Sequence, residues 1–412
     1  MFCKLKAFII KERNKGTIMK KPVTMLLIIL SIGVIGCYGC EHKIGKKIPD
    51  FELGKGKLID ENAPIEAIQY LELVLSREPK NLEAQCYLTI AYKRAAVSIK
   101  ARAAGSEEKY IQGQQREFNK LKNIGVPAAE KLIHIIRSQN RVHRDAIALL
   151  VNLDGIAVQP VVNTLARSSV FRQDAINILT QMGEKYPSTI EELDKIIDSP
   201  NTPDRVRMEL VRILGDIGDA KAVPVLQKQL NSPDGGLKME AMVALYKLGN
   251  KEYEETIIAG LKDSDVNVCR AAAYGSIFLN SISVDELTNA LNNPDEQVRL
   301  CVTQSLGKHL DNRAIKPLIK TLKSDSDAEV QNAAASSLIA YGKDVANLLV
   351  EELKKEKNWE VRIRITRVLK DDNVIKEIDD INEYDLYEYH KKESHPMVKS
   401  EIAEVLRKLE KE

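Results

Sequence analysis

A period governs what this chain can become. Val206, Leu237, Val268, Val298, Val330 and Val361 follow one another at intervals of 31, 31, 30, 32 and 31 residues. A second series, Leu230, Leu261, Leu291, Leu322 and Leu353, keeps the same step at 31, 30, 31 and 31. A unit this short cannot bury its own apolar face, so such units must stack and share a core. The pattern inside each unit is helical. One and two helical steps beyond the anchors stand Leu210, Ala241, Ala272, Val302, Ala334 and Ile365, then Leu214, Leu245, Leu306, Leu338 and Leu369, with Ser276 the polar exception. Residues at i, i+4 and i+8 share one helix face. Just ahead of the anchors stand Asp234, Asp265, Asp295, Asp327 and, in the last unit, Asn358. Their short side chains accept hydrogen bonds from the free amides of a helix start. A second helix follows in each unit, carrying Leu226/Leu230, Ile257/Leu261, Leu287/Leu291, Leu318/Leu322 and Leu349/Leu353. Pro224 and Pro317 sit at the starts of two of these, where a missing N–H costs nothing.

Weaker units begin near Val142 (ending at Leu165) and Val170 (ending at Leu193), with Pro160 and Pro187 in the place of Pro224. Val126–Leu132 reads as one more second helix. Composition agrees: 5% aromatic residues, 21 Gly and 14 Pro in 412 are too few for a large β-sandwich or barrel. The last unit is irregular. Ile381–Tyr389 is acidic and tyrosine-rich, and a charged final helix from Val398 suits a cap. The expectation is an all-α chain.

The run Asp295-Glu296-Gln297-Val298-Arg299, with its variant Asn358-Trp359-Glu360-Val361-Arg362, resembles HEAT repeats, in particular the short bacterial HEAT-like type also found in phycobilin lyases. The resemblance covers 125–412. It implies an α-solenoid of HEAT-like helical hairpins whose second helices line a concave surface that grips a protein or peptide. Gln227, Lys228, Asn289, Lys316 and Lys320 are then expected on the partner-binding surface. The arginines of Arg362–Arg367 are expected to serve hydrogen bonds between repeats.

Ahead of the array, Ile65–Pro79 resembles the second helix of a tetratricopeptide (TPR) unit, with Ala67, Leu71, Val74 and Pro79 at the family spacing, and Leu82–Tyr92 resembles the first helix of the next. Gly105 and Glu108 depart from that pattern. Residues 61–104 are therefore expected as a TPR-like helical hairpin, and the polar, glutamine-rich 105–124 as a linker or an exposed helix.

At the N-terminus, Lys20-Lys21 precede an apolar run from Val23 that is too short to span a bilayer comfortably. Small residues and a Cys follow, the order of a secretory signal. Val34-Ile35-Gly36-Cys37 resembles the bacterial lipobox. That resemblance implies a diacylglycerol on the Cys37 thiol, removal of residues 1–36, and a polar, lysine-rich tether over 37–60. An uncleaved anchor is the alternative; both put the rest of the chain in the cell envelope, outside the cytoplasm. Tyr38, in place of Asp, makes the periplasmic side of the outer membrane the default where the source has one. The signal also accounts for the net charge of +2: residues 1–36 hold seven bases and one acid, leaving 54 bases against 58 acids. No basic excess then remains to support nucleic-acid binding.

Catalytic, cofactor-binding and metal-ligating residues are not expected. The six histidines (His42, His134, His143, His309, His390 and His395) include no pair at helical spacing, and there is no His-Glu dipeptide of the kind by which HEAT-like hydroxylases hold iron. His390 and His395 read as solvated. Cys37 and Cys40 lack the second pair that zinc needs, and Cys269 and Cys301 read as buried structural thiols. No phosphate-binding loop, GxSxG or HExxH pattern occurs. The leading expectation is a lipid-anchored, non-catalytic scaffold that binds a partner protein; the alternative is a phycobilin-lyase-like enzyme or accessory factor. Met19-Lys20-Lys21 makes a better signal start than Met1, so translation is expected to begin at Met19. Mass spectrometry of the precursor, with signal cleavage blocked, should find no peptide from Lys4–Arg13.

Overall fold

The computed structural model describes residues 49–410 other than Gln139 and Asp379. The chain divides into a unit ending at Leu53 and a unit from Gly54 to Glu412; the packing below is that of the second. All regular structure among the described residues is helical. Before the repeats come α1 (Asp50–Ile59), α2 (Pro64–Arg77), α3 (Leu82–Ala96), α4 (Ile99–Ala103), α5 (Glu107–Ile124) and α6 (Val126–Arg137). Pairs follow: α7 (His143–Asn152) and α8 (Gly155–Arg167), α9 (Arg172–Lys185) and α10 (Ser188–Asp198), α11 (Asp204–Ile217) and α12 (Val223–Gln229), α13 (Gly235–Lys247) and α14 (Glu254–Gly260). Next are α15 (Val266–Ser276) and α16 (Val284–Ala290), α17 (Glu296–His309) and α18 (Ile315–Ser324), α19 (Ala328–Ala340) and α20 (Lys343–Lys355). α21 (Trp359–Leu369) and the short α22 (Asp372–Ile375) lead to the closing α23 (Asp380–Lys392) and α24 (Pro396–Leu409).

The aspartates act as the spacing requires. Asp234 accepts from the Leu237 amide at 2.8 Å, Asp265 from Asn267 at 2.8 Å, Asp327 from Glu329 at 2.8 Å, and Asn358 from Glu360 at 2.9 Å. Asp295 serves two amides, Gln297 at 3.1 Å and Val298 at 3.2 Å. Behind the caps, the stripe residues from Leu210 to Leu369 are buried, and so are Leu226, Ile257, Leu287, Leu318 and Leu349 from the second helices. The core is thus one seam between two layers.

The layers are built differently. Each first helix from α7 to α21 packs directly on the one before, and α24 packs on α21. Small residues set the approach: a Cβ on Gly215 would lie 2.8 Å from the Ala244 Cα, and one on Gly307 would lie 2.9 Å from the Ser337 Cα. Buried hydroxyls cross the same junctions. Ser305 donates to the Ser276 carbonyl and Ser337 to the Thr303 carbonyl, both at 2.9 Å. The polar exception in the stripe, Ser276, donates to the Ala273 carbonyl at 2.7 Å. Three second helices, α12, α14 and α16, have only seven residues, and from α12 to α18 the helix contacts of the second layer are chiefly with first helices.

Polar residues one or two places after several anchors tie their repeats to a neighbour. Arg270 holds the Asp295 cap of the next unit, 2.6 Å at the closest. Arg299 grips Asp325 at 2.8 and 2.9 Å and also donates to the Asn293 and Pro294 carbonyls. Arg362 pairs with Glu393 at 3.0 Å. Gln331 fills the place by donating to the Asp325 carbonyl at 2.6 Å. The inter-repeat role expected for arginine at Arg362 is the one observed.

Three features differ from the sequence expectation. From Asp50 on, the tether is the helix α1. Gly54 and Gly56 weaken its propensity, but Leu58 is fully buried and Lys57 bridges Glu61 at 2.7 Å and Glu66 at 3.2 Å. The stretch 105–124 takes the helical one of its two expected forms, the largely exposed α5, with Leu121 buried. Val170 is no anchor: it is 73% exposed, and Phe171 beside it is buried. Pro160 lies inside α8 rather than at its start, because that helix begins at Gly155.

Two helix ends place a non-glycine residue at positive φ, Asp154 ahead of α8 and Leu310 after α17. α11 stops at Gly218, with φ of 75°, a left-handed conformation that glycine adopts freely. At the end of α17 the corresponding conformation, φ of 53°, falls on Leu310, which is half exposed. Leu310→Gly should therefore raise stability by about 1 kcal/mol, read as a higher urea or thermal unfolding midpoint.

Candidate interaction surface

Two surfaces gather polar side chains. The first runs across the first helices α9, α11, α13 and α15. Arg172 pairs with Glu209, and Arg212 with Glu240, whose side chain is buried. The Arg212 guanidinium also lies 4.4 Å from the Tyr274 ring. Tyr274 donates to Asp216 at 2.9 Å, Lys247 pairs with the same carboxylate, and the Lys247 ammonium sits 4.3 Å from the Phe278 ring. Burial pushes the Glu240 carboxyl up, with Arg212 pulling it the other way. Cation and anion alternate and satisfy each other, so this surface is a cross-brace rather than an unfilled site. Cys301 adjoins it, its thiol raised to about 11 by burial. Burial likewise raises Cys86 and Cys269. Thiols held protonated in this way are poor nucleophiles.

The second surface lies along the second helices. Between α16 and α18 is a groove of about 710 Å³, walled by Thr288, Leu291 and Asn292 on one side and by Lys316, Lys320 and Ser324 on the other. Its floor holds Arg299, Asp325 and Ser326. Both Asp325 oxygens are engaged, by the Arg299 guanidinium and by the Asp327 amide at 2.9 Å. Burial alone would raise the Asp325 carboxyl, but these hydrogen bonds outweigh it and hold it below the usual range. On the other flank of α18 a second groove, about 330 Å³, is lined by Ile319, Lys323, Leu348 and Glu352 together with the same two lysines. Lys323 is paired there with Glu352 at 2.8 Å and Glu356 at 3.2 Å.

All five residues expected to face a partner are exposed on second helices. Lys316 and Lys320 stand one turn apart on the ridge between the two grooves. Asn289 lies on the neighbouring α16, and its carbonyl accepts from the Asn292 side chain at 3.4 Å. Gln227 and Lys228 lie on α12, three second helices before α18, and Lys228 is paired with Asp198. Thr288, Asn292, Ser324 and Leu348 were not singled out from sequence; they belong to helix ends and to the neighbouring unit, and only stacking brings them to the lysines. Cys37 lies outside the described residues.

Among the described residues no group of three or more His, Cys, Asp or Glu is placed to hold a metal, and no helix is long and apolar enough to cross a membrane. His143 sits 3.3 Å from Asp174 and shares a 2.9 Å hydrogen bond with the Ile136 carbonyl. His395 stacks on Trp359, with the rings 4.4 Å apart.

Residues 201–277 and 280–339 match the family model of HEAT repeats. A search of characterised proteins finds none that matches the sequence. Among solved structures, an engineered protein is 17% identical, with 88% of this chain and 99% of that one covered at a TM-score of 0.34. YibA of Escherichia coli is 20% identical, with 60% and 92% covered at 0.37. The CpcE–CpcF complex of phycocyanin lyase from Nostoc sp. PCC7120 is 18% identical, with 61% and 94% covered at 0.24. The helical pairs, their shared seam and the matched segments define an α-solenoid that carries HEAT repeats.

The cross-brace gives a direct test. Arg212→Leu strands the Glu240 carboxylate in the stack and should cost about 3–5 kcal/mol. Adding Glu240→Leu should restore most of that loss, since two apolar side chains replace the pair without leaving a charge behind. Urea unfolding of the two variants reads both effects.

Proposed function

We propose that this protein is a non-catalytic scaffold of the cell envelope, held to the membrane by a lipid on Cys37, whose solenoid binds a partner protein. The observation that carries the binding half is the pair of grooves flanking α18: they are open, lined by side chains from two units each, and edged by lysines that the fold does not use. Stacked repeats offer such grooves as a continuous surface, suited to a protein or an extended peptide. The α2–α3 hairpin serves as a TPR-like cap at the N-terminal end of the stack. The anchoring half rests on Val34-Ile35-Gly36-Cys37 and the basic-then-apolar segment before it, and it puts the solenoid on the periplasmic side of the outer membrane where the source has one. The acidic balance of the chain after Gly36 fits a role outside nucleic-acid binding.

Cys37→Ser should move the protein from the membrane fraction to the soluble fraction and abolish incorporation of labelled fatty acid. Continued membrane retention without label would sink the anchor. For binding, crosslinking in intact cells followed by affinity capture from envelope membranes should return a stoichiometric partner; a chain that is recovered alone under several growth conditions is not a scaffold.

A further inference from the structure

We propose that the ridge of α18 receives an acidic peptide segment of the partner that also carries an apolar side chain, the acid meeting Lys316 and Lys320 and the apolar group entering the groove at Ile319 and Leu348. The inference rests on the scaffold reading and names the chemistry of the partner at one place on it.

The argument begins with charge. Lys316 and Lys320 stand at i and i+4 on an exposed helix face, so their ammonium groups lie side by side. Neither has a carboxylate partner among the described residues, and the one acid lining the larger groove is closed to them. Asp325 is clamped bidentately by Arg299 and capped by the Asp327 amide. Arg299 is itself fully engaged, donating to Asp325, to the Asn293 and Pro294 carbonyls at 3.0 Å and to the Ser326 hydroxyl at 3.3 Å. The groove floor is therefore neutral and rigid, while its α18 wall carries two positive charges. On the other flank Lys323 is already neutralised by Glu352 and Glu356. The unanswered charge is thus confined to the crest.

The second element is apolar. Leu348, 42% exposed on α20, faces the smaller groove with Ile319 of α18, and the lysine pair forms the boundary between this apolar patch and the polar groove. A ligand crossing the crest passes from Thr288 and Asn292, which offer a hydroxyl and an amide, over two ammonium groups, to a small apolar patch of exposed Leu348 at the edge of the buried Ile319. A peptide with neighbouring acidic and aliphatic side chains matches that sequence of environments. A free small anion would use only the middle part. Nucleic acid would lack a continuous basic track, since the lysine beyond the crest is paired.

The test uses the chain with Cys37→Ser, which keeps the whole solenoid and removes any need for a lipid. The probe is a fluorescein-labelled peptide of mixed Glu, Ser and Leu, followed by fluorescence anisotropy at low and moderate salt. Binding is expected, weakening as salt rises, because exposed charges are screened. Lys316→Glu with Lys320→Glu should weaken it about ten-fold or more, and the uncharged Leu348→Ser should weaken it at unchanged salt dependence. A peptide with Leu replaced by Ser should lose the Leu348 effect only. Lys221→Glu with Lys238→Glu, exposed positions away from α18, should leave binding unchanged; circular dichroism checks that each variant folds. Equal weakening by that control pair, or no effect of the α18 pair, overturns the proposal. Capture of the native partner separates the two levels of the argument: a partner still captured by the Lys316→Glu, Lys320→Glu chain leaves the scaffold standing and removes the crest as its site.

Discussion

The structure depends on the close approach of successive first helices. The repeats share their core: the stripe from Leu210 to Leu369 is buried where first helices meet the second helices and first helices beside them. Ala241, Ala272 and Ala334 in the stripe, and Gly215 and Gly307 at the crossings, bring the backbones near enough for side-chain hydroxyls to bond the neighbouring helix. Once the spacing is set in this way, a single polar side chain can reach from one unit to the next, and that is how Arg270, Arg299 and Arg362 come to hold their partners. Small residues inside, caps at the helix starts and arginines across the junctions are one device repeated.

Much of this was legible before any coordinates. Period, cap position and anchor series together define the helices, because each is a local property: a stripe at i, i+4 and i+8 has one face whatever surrounds it. What failed to show in the sequence is what depends on neighbours. At Val170-Phe171 two apolar residues are adjacent, and only packing decides that Phe171 rather than Val170 turns inward. Helix α1 has weak propensity and little periodicity; burial of Leu58 and the Lys57 ion pairs stabilise it. Arg212, Glu240 and Tyr274 belong to three different first helices, so their meeting follows from the stacking distance rather than from any motif. The same is true of the grooves beside α18. Lys316 and Lys320 could be named as exposed residues of a second helix, but not the clamped Asp325 that leaves them unanswered, nor Leu348 from the following unit.

Charge is used in two distinct ways. Along the first helices, carboxylates and cations are paired across junctions and partly withdrawn from water, where removing one member is costly and removing both is not. Along the second helices, several cations meet solvent. The contrast between Arg299, held by four acceptor groups, and Lys320 a few ångströms of groove wall away, held by none among the described residues, separates architecture from surface within one site.

The unequal layers have a mechanical consequence. Successive first helices meet directly and are crossed by buried hydroxyl bonds, whereas second helices such as α18 and α20 are joined through side chains, as in the Lys323–Glu352 pair. Groove width on that side is therefore set by side-chain pairs rather than by contact between helix backbones. An occupant of the groove at Leu348 meets the very pair, Lys323 and Glu352, that joins its two walls.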